Sequence, residues 1–172
     1  MAAGYLPPKK YYSRPWKKGN YLVELNLKCI RDVLKCVEKN TDLRHACYFI
    51  DEPAMKEIHE LMGSKLDPVP DYQKALQKPY PGDELFYHVR YCAEEELVKV
   101  IEGTAGYKIM IPDLTAKGHD FLGNIKNPKV FEFLEKVIIE AGGIGIGSLV
   151  STAGAQAVKN LISKITSSIG QP

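Results

Sequence analysis

Along most of the chain apolar residues recur every three or four positions, as helices require, and in a few short stretches they crowd or alternate as strands do. Val23, Leu27, Ile30, Leu34 and Val37 lie on one stripe of a helix running roughly from Tyr21 to Lys39. The segment HACYFI (45–50) is short, aromatic and rich in β-formers, and predicts a single strand. It ends at Asp51, Glu52 and Pro53, an acid-then-proline start signal. Met55, Ile58, Leu61 and Met62 then share a helical face, which Gly63 ends. Residues 64–82 hold four prolines, too many for a long regular element, so a loop with one short turn of helix at Tyr72 to Gln77 is expected.

Asp83 is placed to cap a further helix, with Leu85, Phe86, Val89, Cys92 and Ala93 on its buried face and Tyr87, Arg90, Tyr91 and Glu94 on the other. LVKVIEG and GYKIMIPDL follow as two β-rich stretches around a turn at 103–106, the pattern of a hairpin. Thr115 starts a short helix through Asn124. Asn127 and Pro128 start another, which buries Val130, Phe131, Leu134, Val137, Ile138 and Ala141 and ends at Gly142 and Gly143. A last helix from about Ser148 to Ser168 carries Val150, Gly154, Val158, Leu161 and Ile165 at helical spacing. The expected fold is α+β and mostly helical: a winged-helix core of three helices plus a β-hairpin, with additional C-terminal helices. Residues 1–20 form an arm, 21–125 the core with a proline-rich insertion at 64–82, and 126–172 a helical extension packed on the core.

With 172 residues, 45% apolar and 26% charged, the chain has the composition of one folded domain. Its net charge of +2 is unevenly spread: KKYYSRPWKK (9–18) holds five basic groups and no acid, leaving 18 basic against 21 acidic residues elsewhere. That balance disfavours a body that binds nucleic acid strongly by charge alone. Cys29, Cys36, Cys47 and Cys92 are spread without a CxxC pair, and no apolar leader precedes them. Reduced thiols, no export and a cytoplasmic location are expected.

In a winged helix the helix after Asp83 is the one offered to the DNA major groove, where Tyr87, His88, Arg90 and Tyr91 reach phosphates or base edges. Against this, Glu94, Glu95 and Glu96 crowd its end, as on a solvated or protein-facing surface. Lys99 and Lys108 on the hairpin, with Lys117 after it, either touch the sugar-phosphate backbone or keep an edge strand soluble. Lys9, Lys10, Arg14, Lys17 and Lys18, interleaved with Tyr11, Tyr12 and Trp16, either follow phosphates or dock the arm on the domain.

Other chemistry is weaker. His119 beside Asp120 lacks a nucleophile at meaningful spacing and reads as a structural hydrogen bond, with Gly118 allowing close backbone approach. Cys29 with Cys36, and His88 with Cys92, have helical spacing but read as packing, so no metal or other cofactor is expected. The glycines at 142–147 fit no phosphate-binding pattern, and about 15 uncharged residues between Glu140 and Gln156 are too few to span a membrane.

Three stretches together resemble a family of uncharacterised bacterial and phage-borne proteins: DELFYHVRYCAEEELV (83–98), LTAKGHDFLGNIKNPKVFEFL (114–134) and the closing helix after a glycine break. The middle one carries the pattern L-T-x-x-G-H-x-F-L. The resemblance covers about two-thirds of the chain and implies a winged-helix-like core but no established activity. The arm and the stretch 64–82 are longer here than in that pattern. The expected function is a non-enzymatic DNA-binding or regulatory module with double-stranded DNA as partner. The alternative is a protein-interaction or self-assembly module; neither reading involves a membrane.

Overall fold

A computed structural model of the chain describes residues 17–18, 21–22, 25–63, 65–101, 106–140 and 160. The elements run β1 (Lys17–Lys18), β2 (Tyr21–Leu22), α1 (Leu27–Asn40), β3 (Cys47–Ile50), α2 (Glu52–Met62), α3 (Asp71–Gln77), α4 (Gly82–Glu94), β4 (Lys108–Ile111), α5 (Ala116–Ile125) and α6 (Pro128–Glu140). The class is α+β and mostly helical. The chain divides into two compact units, residues 1–118 and 119–172.

In the first unit, α1 starts later than its apolar stripe suggests. Asn26 sits in extended backbone, and its side-chain oxygen accepts from the N–H groups of Lys28 (3.1 Å) and Cys29 (3.2 Å). That cap fixes the helix start, and Tyr21 belongs to β2, antiparallel to β1. Leu27, Cys29, Ile30, Val33, Leu34 and Val37 are buried, while Val23 lies outside the described residues. α2 opens on Asp51, which accepts from Ala54 N–H at 3.2 Å. It closes on Gly63, whose φ of 63° is left-handed and whose N–H donates to His59. The apolar face of α2 is covered unevenly: Met55 is buried and Ile58 half-buried, but Leu61 and Met62 are 79% and 77% exposed, not inside as their spacing predicts.

The proline-rich stretch holds a true helix, α3, and α1, α3 and α4 pack on one another. Four residues, 78–81, join α3 to α4. Pro81, not Asp83, stands at the cap of α4, with no side-chain bond there; Asp83 lies in the first turn, where its charge suits the helix dipole. Leu85, Phe86, Val89 and Cys92 are buried as expected; Ala93 is half-buried.

β3 and β4 are antiparallel, with Cys47 opposite Ile111 and Ile50 opposite Lys108. Asp51 N–H extends the ladder to Tyr107 O at 2.8 Å. On the outer side of β3, the Tyr72 hydroxyl accepts from Tyr48 N–H and donates to Tyr48 O, both at 2.8 Å. One residue on, the Gln73 amide accepts from Ile50 N–H (2.8 Å) and donates to Ile50 O (2.7 Å). Two α3 side chains thus occupy the place of a neighbouring strand.

The expected hairpin is irregular. The regular partner of β4 is β3, and residues 97–101 lie along the other side of 110–114 through a single bridge, Val98 with Leu114. Lys99 N–H donates to Asp113 O and Ile101 N–H to Met110 O, a step that leaves one extra residue beside Pro112, as in a bulge. Of the predicted turn only Gly106 is described.

Thr115 starts α5: its hydroxyl accepts from Gly118 N–H at 2.9 Å and donates to Glu96 O at 2.6 Å. A Cβ on Gly118 would stand 1.9 Å from Leu97 O, so only glycine fits this crossing.

In the second unit Phe121, Leu122 and Ile125 of α5 are buried, as are Val130, Phe131, Leu134 and Ile138 of α6. Asn127 caps α6, accepting from Lys129 N–H at 3.0 Å. The Val137 side chain, Ala141, the stop at Gly142 and Gly143, and the predicted helix from Ser148 to Ser168 lie outside the described residues.

Candidate nucleic-acid interface

The inner side of α4 fixes how its outer side is presented. His88 is fully buried and uses both ring nitrogens, Nδ1 to Glu84 O (2.8 Å) and Nε2 to Asn26 N–H (2.8 Å). The first is a carbonyl and the second a donor, so the ring is neutral with its proton on Nδ1. Burial holds the imidazole below its ordinary pKa, although the Glu84 carbonyl and carboxylate pull the other way. Asn26 Nδ2 also donates to Glu84 Oε1 at 3.0 Å. One asparagine therefore caps α1 and ties it to α4. His88 is unavailable to a ligand, contrary to its place among the groups expected to reach DNA. The signal was present: 85, 88, 89 and 92 is a helical stripe whose other members are apolar.

The outer side carries Asp83, Tyr87, Arg90, Tyr91 and Glu94. Tyr87 and Tyr91 are half-buried, their rings 6.5 Å apart and tilted, and Tyr87 also meets the His88 ring edge-on at 5.1 Å. Burial raises the pKa of the Tyr87 phenol, and the charge of Glu94 adds to this. Asp51 and Glu94 are both raised by burial, and the Arg90 charge opposes the rise at each. Arg90 thus serves nearby carboxylates, among which Asp83 also acts on Asp51. An anionic groove would meet here one cation among several acids.

The lysines of the ribbon are also engaged. Lys99 pairs with Asp113 at 3.1 Å. Lys108 pairs with Asp67 at 3.3 Å and lies 4.5 Å from the centre of the Tyr48 ring, while Tyr107 donates to the same Asp67 oxygen. Lys117 Nζ donates to Glu95 O at 2.7 Å. Tyr87, Arg90 and Tyr91 come together on α4, and Lys99 and Lys108 belong to the ribbon. Lys17 and Lys18 are placed in β1, and Lys9, Lys10 and Arg14 lie outside the described residues.

Burial raises all four thiols, Cys36 to about 11 and Cys47 to about 12, which favours the protonated form of each. Among the described residues no three His, Cys, Asp or Glu side chains gather to hold a metal, and no helix is long and apolar enough to cross a membrane. His119 is exposed on α5.

Fold and surface define a mostly helical α+β protein built on a closely joined helix pair beside a small sheet. The family model described as "Hypothetical protein (DUF2513)" matches residues 24–144, and the chain belongs to that family. No curated protein and no solved structure matches the chain.

Proposed function

We propose that this chain is a non-enzymatic winged-helix module that binds double-stranded DNA in a bacterial or mobile-element regulatory protein. The observation that carries the reading is the arrangement of α1, α3 and α4: three mutually packed helices, the last two joined by four residues and followed by an antiparallel ribbon. Phosphate contacts come from the cations of the arm, Lys9, Lys10, Arg14, Lys17 and Lys18. Arg90, Tyr91, Tyr87, Lys99 and Lys108 are secondary, since the described charges there are already engaged. The test is anisotropy of labelled duplex DNA with the full chain and with a version carrying glutamine at the five arm positions. Binding should weaken steeply with salt, and the substituted chain should bind more weakly, with a logarithmic salt slope smaller by about 0.9 for each phosphate it no longer neutralises. No binding at low salt overturns the proposal.

A second reading, a protein-interaction module, is favoured by one observation: the outward stripe of α4 carries Asp83 and Glu94 around its single cation. Charge-reversing Asp83 and Glu94 to lysine separates the two, because a DNA binder gains affinity from the change.

A further inference from the structure

The turn between α1 and β3 holds one apolar side chain away from the molecule. Asp42 Oδ1 accepts from the N–H groups of Arg44 (2.7 Å) and His45 (2.8 Å), His45 Nδ1 lies 2.9 Å from both carboxylate oxygens, and Asp42 N–H donates to His45 O at 3.0 Å. One aspartate thus fixes residues 42–45. At the tip Leu43 is 105% exposed, and Arg44 beside it is exposed too. Single apolar residues on a surface are ordinary. One that is fixed in advance differs, because little conformational freedom is lost when it is buried against a partner.

A socket of matching character lies on the same chain. Where the end of α4 meets residues 98–100 and 115–117, a cavity of roughly 460 Å³ is lined mainly by apolar surface of Ala93, Val100 and Ala116 over the buried Val98, with Glu96 and Lys117 at its polar end. Glu96 keeps a left-handed backbone, φ 57°, where glycine would be easier, and its carbonyl accepts from the Thr115 hydroxyl. Glu94, Glu95 and Glu96 outweigh Lys117, whose ammonium is drawn to the Glu95 carbonyl at 2.7 Å, and Lys99 is paired with Asp113, so the mouth is acidic. Among the described residues neither the Arg44 guanidinium nor the Glu96 carboxylate has an ion pair.

We infer that the turn 42–45 of one copy docks in this cavity of a second copy, with Leu43 entering between Ala93, Val100 and Ala116 and Arg44 pairing with Glu96. Adjacency in sequence sets the fit: once Leu43 is inside, Arg44 lies at the rim, where the carboxylate stands. Knob and socket are different patches, so the contact is heterologous and each copy offers one of each. This contact does not depend on DNA binding.

The test is analytical sedimentation of the full chain over a wide range of concentrations at low salt. The average mass should rise with concentration, and less so as salt is added. Leu43→Ser, at a position whose side chain supports no core, should raise the dissociation constant about ten- to a hundredfold. Arg44→Glu and Glu96→Arg should each stay monomeric alone, since like charges then meet. Mixed, they should associate, because every contact between the two variants is again of opposite sign. Glu96→Gly relaxes the left-handed backbone, so it should weaken association without lowering the urea midpoint, which separates loss of the contact from loss of the fold. A chain that is monomeric throughout overturns the inference and leaves the turn to another protein. So does association that ignores Leu43→Ser, or a mixture of the two charge variants that stays monomeric.

Discussion

Residues 65–81 and the ribbon 97–114 flank the same small sheet from opposite edges, yet they are held by different means. The first is joined to β3 by side chains bonded to backbone, through Tyr72 and Gln73. The second is joined to itself by backbone bonded to backbone, with one steric crossing at Gly118 over Leu97. A backbone ladder survives most changes of side chain, because every residue brings the same groups. A side-chain brace has no such redundancy. Sensitivity to substitution should therefore gather at Tyr72 and Gln73 on one edge and at Gly118 on the other, with the rest of the ribbon tolerant.

The sharpest break is Gly118→Ala. A methyl 1.9 Å from a backbone carbonyl has no flexible neighbour to displace, so we expect at least ~3 kcal/mol of destabilisation in urea unfolding. A loss under ~1 kcal/mol would mean that the crossing is loose. Gln73→Leu comes next: it leaves the N–H and C=O of buried Ile50 unpaired, a loss of about 2–4 kcal/mol. Its neighbour Lys74, whose exposed pair with Asp71 adds little, should tolerate alanine within about 0.5 kcal/mol. Tyr72→Phe keeps the ring against Phe49 at 5.8 Å and removes only the hydroxyl, for about 1–2 kcal/mol.

The pH dependence probes a place outside both regions, since neither 65–81 nor 97–114 contains histidine. The folded-state pKa of His88 lies below its ordinary value of 6.5 because the ring is buried. The unfolded chain then binds the proton more readily. This contribution is complete above the ordinary histidine range and is lost as pH falls through 6.5 towards the lower folded value. Urea midpoints measured from pH 8 down to about 5 should decline, and His88→Gln should remove that part of the slope. Smallest of all, Val100→Thr, at a position 43% exposed, should change stability by no more than about 0.5 kcal/mol. A larger loss there would show that this side chain packs tightly.

Helices with strong caps and clean stripes were legible from the chain itself: Asp51 with Pro53, Asn127 with Pro128, and the stripe of α1 all reappear in the structure. Gly118 was legible for the same reason, since a close approach leaves few other residues. What could not be read depended on distant partners. Asn26 becomes a cap because Glu84 and His88 hold it, across 58 and 62 residues, and nothing local separates it from Asn20. Gln73 looks like an ordinary polar surface residue until β3 lies beside it. On the surface, the positions of Tyr87, Arg90, Tyr91 and Glu94 on the outer stripe of α4 were readable, but Asp51 beside Arg90 was not, since it reaches the arginine only through the fold.

The closed edge of β3 also bears on the order in which the chain acquires structure. Tyr48 and Ile50 bond to Tyr72 and Gln73 across 24 and 23 residues, whereas β3 pairs with β4 across more than twice that length of chain. The shorter loop closes at a smaller entropic cost. The brace can therefore form before the true strand arrives and shield one rim of β3 from pairing with other chains during synthesis. Transition-state analysis should then report native-like bonding at Gln73 earlier than at Ile109.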